Sequence, residues 1–228
     1  MMVTGIRQIT PEGLLGHALN DIEAKYAPKI LFVSGSIDIP LPGPRVSIVG
    51  TRQASSQGLE TARRLASELG RQGIVIVSGL ARGIDTAAHT AAIESRGKTI
   101  AVLGTPLDRC YPPENCELQK IMMREQMVIS QYPSGHITKP RDFVLRNRTM
   151  ALVSDASIIV EAGESSGALS QGWETLRLGR PLFISKEIFA KSLSWPKEMI
   201  KYGARKLESV DELLEALPLP NLEYTVEF

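Results

Sequence analysis

The sequence predicts a doubly wound α/β fold, a mostly parallel sheet with helices on both faces. Three observations carry this. From Val46 onward, short β-branched runs alternate with longer segments of helical period, the pattern of strand-crossover-strand units. The runs are apolar without alternation, as in strands covered on both faces. The 228 residues, 43% hydrophobic and 22% charged, suffice for one main domain with short additions and exclude a disordered chain, a collagen or a disulfide scaffold.

Taken in order, residues 1–45 read as an N-terminal lead-in and linker. They hold one short helix near 11–25, an apolar strand-like ILFVSG at 30–35 and the Pro/Gly-rich PLPGP at 40–44. The main domain is expected over 46–206. Its strand candidates are 46–49, 74–77, 99–103, 127–130, 157–160 and 181–184. Leu59, Ala62, Leu65, Ala66 and Leu69 form one helical stripe, and Ile84, Ala87, Ala88, Ala91 and Ala92 form another whose small side chains let a helix lie close to the sheet. Further helices are expected near 114–126, 143–154 and 168–178, each ended by Gly, Ser or Asp. Residues 207–228 offer an acidic helix near 210–217 and a Pro-containing tail.

The net charge of +1 hides an asymmetry. After Lys206 no basic residue follows, but Glu208, Asp211, Glu212, Glu215, Glu223 and Glu227 do, so the stretch up to Lys206 carries 26 basic against 19 acidic residues, or +7. A basic body with an acidic end keeps nucleic acid among the expected ligands. No run approaches a membrane span of roughly 18 apolar residues, and the N-terminus lacks a signal-peptide pattern, so a cytoplasmic protein without a membrane partner is expected. Cys110 and Cys116 are read as reduced thiols, and the isolated His17, His89 and His136 do not complete a metal site, so neither metal nor cofactor is expected.

In open parallel sheets ligands bind outside the carboxyl ends of the strands. After the first main strand, Gly50-Thr51-Arg52 leads through Ser55 and Ser56 into a helix whose free N–H groups favour an anion. The spacing is neither the dinucleotide fingerprint nor a Walker loop, which disfavours nicotinamide, flavin and P-loop chemistry. Arg52, set in that turn, is expected to meet an anion. After the second strand come Gly79, Arg82, Gly83 and Asp85, the last a ligand-facing acid or simply a helix cap. The fifth strand ends in Glu161, followed by Glu164, Ser166 and Gly167, a phosphate contact or again a cap. Lys139, Arg141, Arg146 and Arg148, interleaved with Phe143 and Asn147, combine charge for a backbone with a stacking surface for bases; a solvated basic face is the alternative.

In this order and spacing the motifs resemble the DNA-processing protein A family of bacterial transformation proteins, also called Smf. The matching residues include 31–35 (LFVSG), 49–52 (VGTR), 77–85 (VSGLARGID) with Ala88-His89, and 99–104 (TIAVLG). They continue with Leu107-Asp108, Tyr111-Pro112, Glu114-Asn115, Ile129-Ser130, Tyr132-Pro133, Phe143 with Arg146-Asn147-Arg148, Val160-Glu161-Ala162, Ser166-Gly167 and Gly179-Arg180. The resemblance covers about residues 26–215.

It implies an extended Rossmann-like domain that binds single-stranded DNA as a homodimer and helps load the recombinase RecA during transformation or recombination, with no catalytic residue. By that resemblance Arg52, in its Gly-Thr-Arg turn, lies in the DNA pocket, and Lys139, Arg141, Phe143, Arg146 and Arg148 belong to the same surface. Arg146 and Arg148 are two apart and cannot share a helix face, so only one of them is expected to reach DNA. The expected nucleic-acid-binding set is Gly50, Thr51, Arg52, Gly79, Arg82, Lys139, Arg141, Phe143, Arg146, Arg148, Ser166 and Gly167.

Some positions depart from the family pattern. Gln131 stands where Glu is usual, Ser166 to Trp173 replaces a commoner Ser-Gly-Ser/Thr-Leu-x-Thr-Ala run, and Ser185-Lys186 replaces Pro-Gly. The upstream helical and downstream winged-helix-like domains common in the family are not expected here. The competing reading is a nucleotide sensor or a phosphoribohydrolase-like enzyme on a related fold, which would carry a Glu within 166–173; none falls there, and Glu174 is displaced.

Overall fold

A computed structural model describes residues 5–218. Nine strands form one sheet: β1 (Arg7–Ile9), β2 (Leu31–Gly35), β3 (Arg45–Gly50), β4 (Val75–Ser78), β5 (Thr99–Leu103), β6 (Met127–Ser130), β7 (Ala156–Glu161), β8 (Leu182–Ser185) and β9 (Arg205–Leu207), in the order β1-β2-β6-β5-β4-β3-β7-β8-β9. The pairs from β6 through β9 are parallel, and β1 and β2 add antiparallel partners at one edge. The six expected main strands are β3 to β8, each within a residue or so of its expected limits.

The expected division at 45 is corrected. Phe32 to Gly35 pairs with Met127 to Ser130, so the N-terminal segment is part of the sheet and not a lead-in. The boundary at 206 likewise falls inside β9. The helix expected over 11–25 is two helices, α1 (Pro11–Leu15) and α2 (Asp21–Tyr26). Gly16, at φ +79°, ends the first in the left-handed conformation, and Asn20 starts the second with a capping box to Glu23. The last residues of the expected acidic tail lie outside the described residues.

Chain order fixes which face each helix covers. Helices α3 (Ser56–Arg71), α4 (Ile84–Glu94), α5 (Cys116–Glu125) and α9 (Val210–Glu215) share one face, burying Ile48, Ile76, Leu103 and Ile158. Helices α6 (Pro140–Leu152), α7 (Ala168–Arg177) and α8 (Trp195–Lys201), with α1, cover Val49, Val77, Val102 and Ile159 on the other. Leu65 and Leu69 of α3 and Ala87, Ala88, Ala91 and Ala92 of α4 are buried, as their spacing predicts. Because the chain runs outward from β3 through β4 and β5 to β6 and then returns to place β7 on the other side of β3, the switch point of the sheet lies between β3 and β7.

His89 is buried between α4 and β5. The Thr99 hydroxyl donates its single proton to the Ile76 carbonyl at 2.9 Å, so the His89 Nδ1 atom 2.7 Å from the same oxygen must be the donor. The proton therefore sits on Nδ1, and Nε2 is left buried without a partner. Burial, reinforced by the nearby Arg146 charge, holds the imidazole down to about 3. The unfolded chain takes up this proton near 6.5 and the folded chain does not, so the contribution is fully present above about pH 6.5 and lost as pH falls, by up to about 1.4 kcal/mol per unit. Urea unfolding at pH 7, 6 and 5 is expected to show that slope, and His89→Gln, which does not titrate, is expected to flatten it.

Candidate nucleic-acid interface

The turn after β4 and the end of β5 meet over one buried cation. Arg146, expected at the surface, is only 6% exposed, and its Nη1 donates to the carbonyls of Gly79 and Val102, each at 2.6 Å. Its Nε donates to the side chain of Asn147 at 3.1 Å. A Cβ on Gly79 would collide with the guanidinium, so only glycine leaves room for it. Asp85, expected to cap a helix or face a ligand, does neither. Its Oδ2 accepts the N–H groups of Gly79 at 3.1 Å and Ala81 at 3.3 Å, and helix α4 starts without a side-chain cap. Burial pushes the Asp85 carboxyl above its ordinary range, against the pull of Arg146 and those backbone donors. Arg146 and Asp85 thus set the loops from beneath, and the place of Arg146 in the ligand surface is withdrawn.

Above this brace lie the exposed residues. The Arg52 guanidinium sits 5.9 Å from the centre of the Phe143 ring, and Tyr111, 41% exposed, packs against the same ring with centres 5.1 Å apart. Gly104 makes this possible: a Cβ there would run into Phe143, so the ring rests directly on the end of β5. Lys139 and Arg141 are exposed beside Phe143 at the start of α6, where Asp142 accepts the Lys139 N–H and a hydrogen bond from His136, both at 2.8 Å. Desolvation works against ionisation of Asp142, but these donors outweigh it and hold the carboxyl below its usual range. Arg82 is exposed as well, paired with Glu114. Tyr111 was legible only as part of a motif: alone and outside the basic run, it carried no composition signal.

Other expected contacts are engaged elsewhere. Arg148 points away, its Nε 3.1 Å from Glu174 and its guanidinium 5.4 Å from the Tyr26 ring of α2. Neither member of the 146/148 pair is therefore a free cation at this edge. Ser166 Oγ accepts the N–H of Ala168 at 3.3 Å, and the Gly167 carbonyl accepts from Asn147 at 3.2 Å, so this turn fastens α7 to α6. Gly50 and Thr51 act through the backbone: Thr51 donates to the Glu161 carbonyl at 2.7 Å, and its own carbonyl receives the N–H of Ile84.

The expected phosphate cradle at the start of α3 already holds an anion. Glu161 Oε2 accepts from the N–H and hydroxyl of Ser55 at 2.9 and 3.0 Å, and its Oε1 pairs with Lys191 at 2.8 Å. Desolvation opposes ionisation, but Lys191 and the Ser55 donors win, so the carboxyl stays below its ordinary range. Glu164 is bound to the N–H and hydroxyl of Ser194, and Glu174 to Arg148 and Arg177. The carboxylates that a nucleotide-cleaving site would use are thus tied within the fold. Among the described residues no cluster of three or more His, Cys, Asp or Glu is placed to hold a metal, and no helix is long and apolar enough to cross a membrane.

Removing the buried guanidinium leaves the Gly79 and Val102 carbonyls and the Asn147 side-chain oxygen without their donor, and Asp85 without its nearby cation. Arg146→Met is expected to destabilise the fold by about 3 kcal/mol in urea titration, whereas Arg52→Ala is expected to stay within about 0.5 kcal/mol of the parent.

Comparison with known proteins places the chain. The family model for DNA recombination-mediator protein A matches residues 14–218. The chain is 35% identical to the DNA processing protein DprA of Bacillus subtilis, over 88% of this chain and 68% of that one. It is 38% identical to that of Streptococcus pneumoniae, over 82% and 66%. It spans about half to two thirds of the length of the curated relatives it matches. The solved S. pneumoniae protein superimposes with a TM-score of 0.80 over 95% of this chain and 76% of that one, at 32% identity. The Helicobacter pylori protein, described for its single-stranded DNA binding mode, gives 0.76 over 95% and 100%, at 26% identity. A molybdenum cofactor carrier protein of Chlamydomonas reinhardtii shares the fold alone, with a TM-score of 0.54 at 16% identity over 77% and 98%.

Proposed function

The chain belongs to the DNA recombination-mediator protein A family, and on that premise we propose that it binds single-stranded DNA across the carboxyl ends of β3, β4 and β5. The observation that carries this reading is the joining of the exposed Arg52 and Tyr111, across the half-buried Phe143 ring, into one array beside Lys139 and Arg141. The cations meet successive phosphates, and the rings offer stacking faces that every base shares. Arg82 joins the array when it exchanges Glu114 for a phosphate. The role is binding without catalysis in a cytoplasmic protein, with the held strand handed to RecA.

With Arg52, Lys139 and Arg141 as the phosphate contacts, the logarithm of affinity falls by roughly 2.1 per decade of salt, so a fourfold rise in salt weakens binding by about 18-fold. Titration of a fluorescent oligonucleotide is the measurement. Arg52→Ala and Phe143→Ala are each expected to weaken binding, the first with a shallower salt slope and the second with the slope unchanged. A flat salt response, or an Arg52→Ala variant that binds like the parent, rejects the reading.

We also propose a homodimer, formed through the exposed Trp173 on α7, Ile200 on α8 and Tyr202 at the end of α8, where the two aromatic rings meet edge to face with centres 5.3 Å apart. Light scattering on a sizing column is expected to give twice the chain mass for the parent, and the single-chain mass for a Trp173→Ala, Tyr202→Ala double variant.

A further inference from the structure

Glu114 belongs to the loop after β5 that carries Tyr111, and its carboxylate pairs with the guanidinium of Arg82 in the turn after β4. Both backbones are held. Asn115, buried beside Glu114, donates to the Leu80 carbonyl at 2.8 Å and to the Thr86 hydroxyl at 2.9 Å, which fastens the loop across the turn. The residue after Arg82, Gly83, lies against the backbone of Thr51 and Arg52, where a Cβ would collide. Arg82 is thus joined through its own turn to the Arg52 turn, and through Glu114 to the Tyr111 loop. The two side chains themselves are 59% and 44% exposed, so the pair is of the weak kind that a competing anion can open. The hydrogen bond from Arg82 holds the Glu114 carboxyl below its ordinary range, so it is an anion throughout the neutral range.

We propose that Glu114 is an internal competitor for the strand: it holds Arg82 in place of a phosphate and retakes it as the strand leaves, which sets how readily the surface lets go. The two anions are chemically matched. Arg82 offers the same donors to a carboxylate oxygen as to a phosphate oxygen, so binding trades one charge-assisted contact for another and Arg82 adds little net affinity. The balance of ions is equally flat. A phosphate gives up a condensed cation as it meets Arg82, but the released Glu114 takes a cation up, so the salt response of the parent counts Arg52, Lys139 and Arg141 only. Because the competitor is tethered, it acts at an effective concentration that dilution does not lower, and it closes on Arg82 when the phosphate steps away. A strand that is to be handed on is then loosened from within the surface that holds it.

This inference rests on the single-strand reading, and its test separates the two. Glu114→Gln keeps the side-chain shape and removes the charge. In titration of a fluorescent oligonucleotide it is expected to bind about fivefold tighter than the parent, the upper range for freeing one partner of an exposed ion pair, with the salt slope rising from roughly 2.1 to roughly 2.8 per decade. A stopped-flow chase with unlabelled oligonucleotide is expected to place most of that gain in slower release. The gain must pass through Arg82. Arg82→Ala combined with Glu114→Gln is therefore expected to bind within about twofold of Arg82→Ala alone. A Glu114→Gln variant no tighter than the parent, an unchanged salt slope, or a gain as large in the absence of Arg82, which is like-charge repulsion alone, overturns the proposal and leaves the single-strand reading standing. A parent that binds no oligonucleotide overturns both.

Discussion

The carboxyl edge of this sheet is organised by a cation that never reaches solvent. Arg146 crosses from α6 into the ends of β4 and β5 and ties the Gly79 and Val102 carbonyls together. Asp85 holds the same loop by its N–H groups. A cation taken out of water is tolerated only when its acceptors and countercharge are all placed, which makes such a network unforgiving of displacement. Every exposed residue of the proposed strand surface stands on this floor. Phe143 is one turn before Arg146 on the same helix, Arg52 leans on Phe143, and Tyr111 closes the row.

The parallel core was legible because it is physically simple. Runs such as 46–49 and 99–103 are apolar on both faces, and both faces are covered. The edge strands were not: β1 and β9 are three residues each and mostly exposed, and pairing with a distant partner alone makes them strands. Gly16 and Asn20 are ordinary residues of a helical pattern until the backbone conformation at 16 and the cap at 20 divide it. Within the site, Arg52 could be read from its turn, since it stands among backbone donors. Arg146 and Arg148 could not, because a run of cations looks alike whether a member points inward, outward or toward an acid on another helix. Tertiary partners far away in sequence, Gly79 for one and Glu174 for the other, decide the matter.

The same logic explains why this fold does not use its switch point as nucleotide-binding relatives of the architecture do. The crevice between β3 and β7 is filled by the Glu161 carboxylate on Ser55, with Lys191 across it and the Glu164–Ser194 contact beside it. With the start of α3 neutralised from within, the surface proposed for the strand lies to one side, over β3 to β5. An extended polymer fits an open edge better than a closed crevice, since its length continues past the protein at both ends.

The antiparallel insertion of β2 beside β6 bears on how the chain reaches this structure. Residues 31–35 find their partner at 127–130, so the most apolar N-terminal strand waits for its neighbour while β3, β4 and β5 are made. At ribosomal rates of about 5–20 residues per second, that wait is roughly 5–20 s. During synthesis an unpaired strand edge is therefore exposed for a time long compared with helix formation, and the nascent chain passes through a stage that favours chaperone contact.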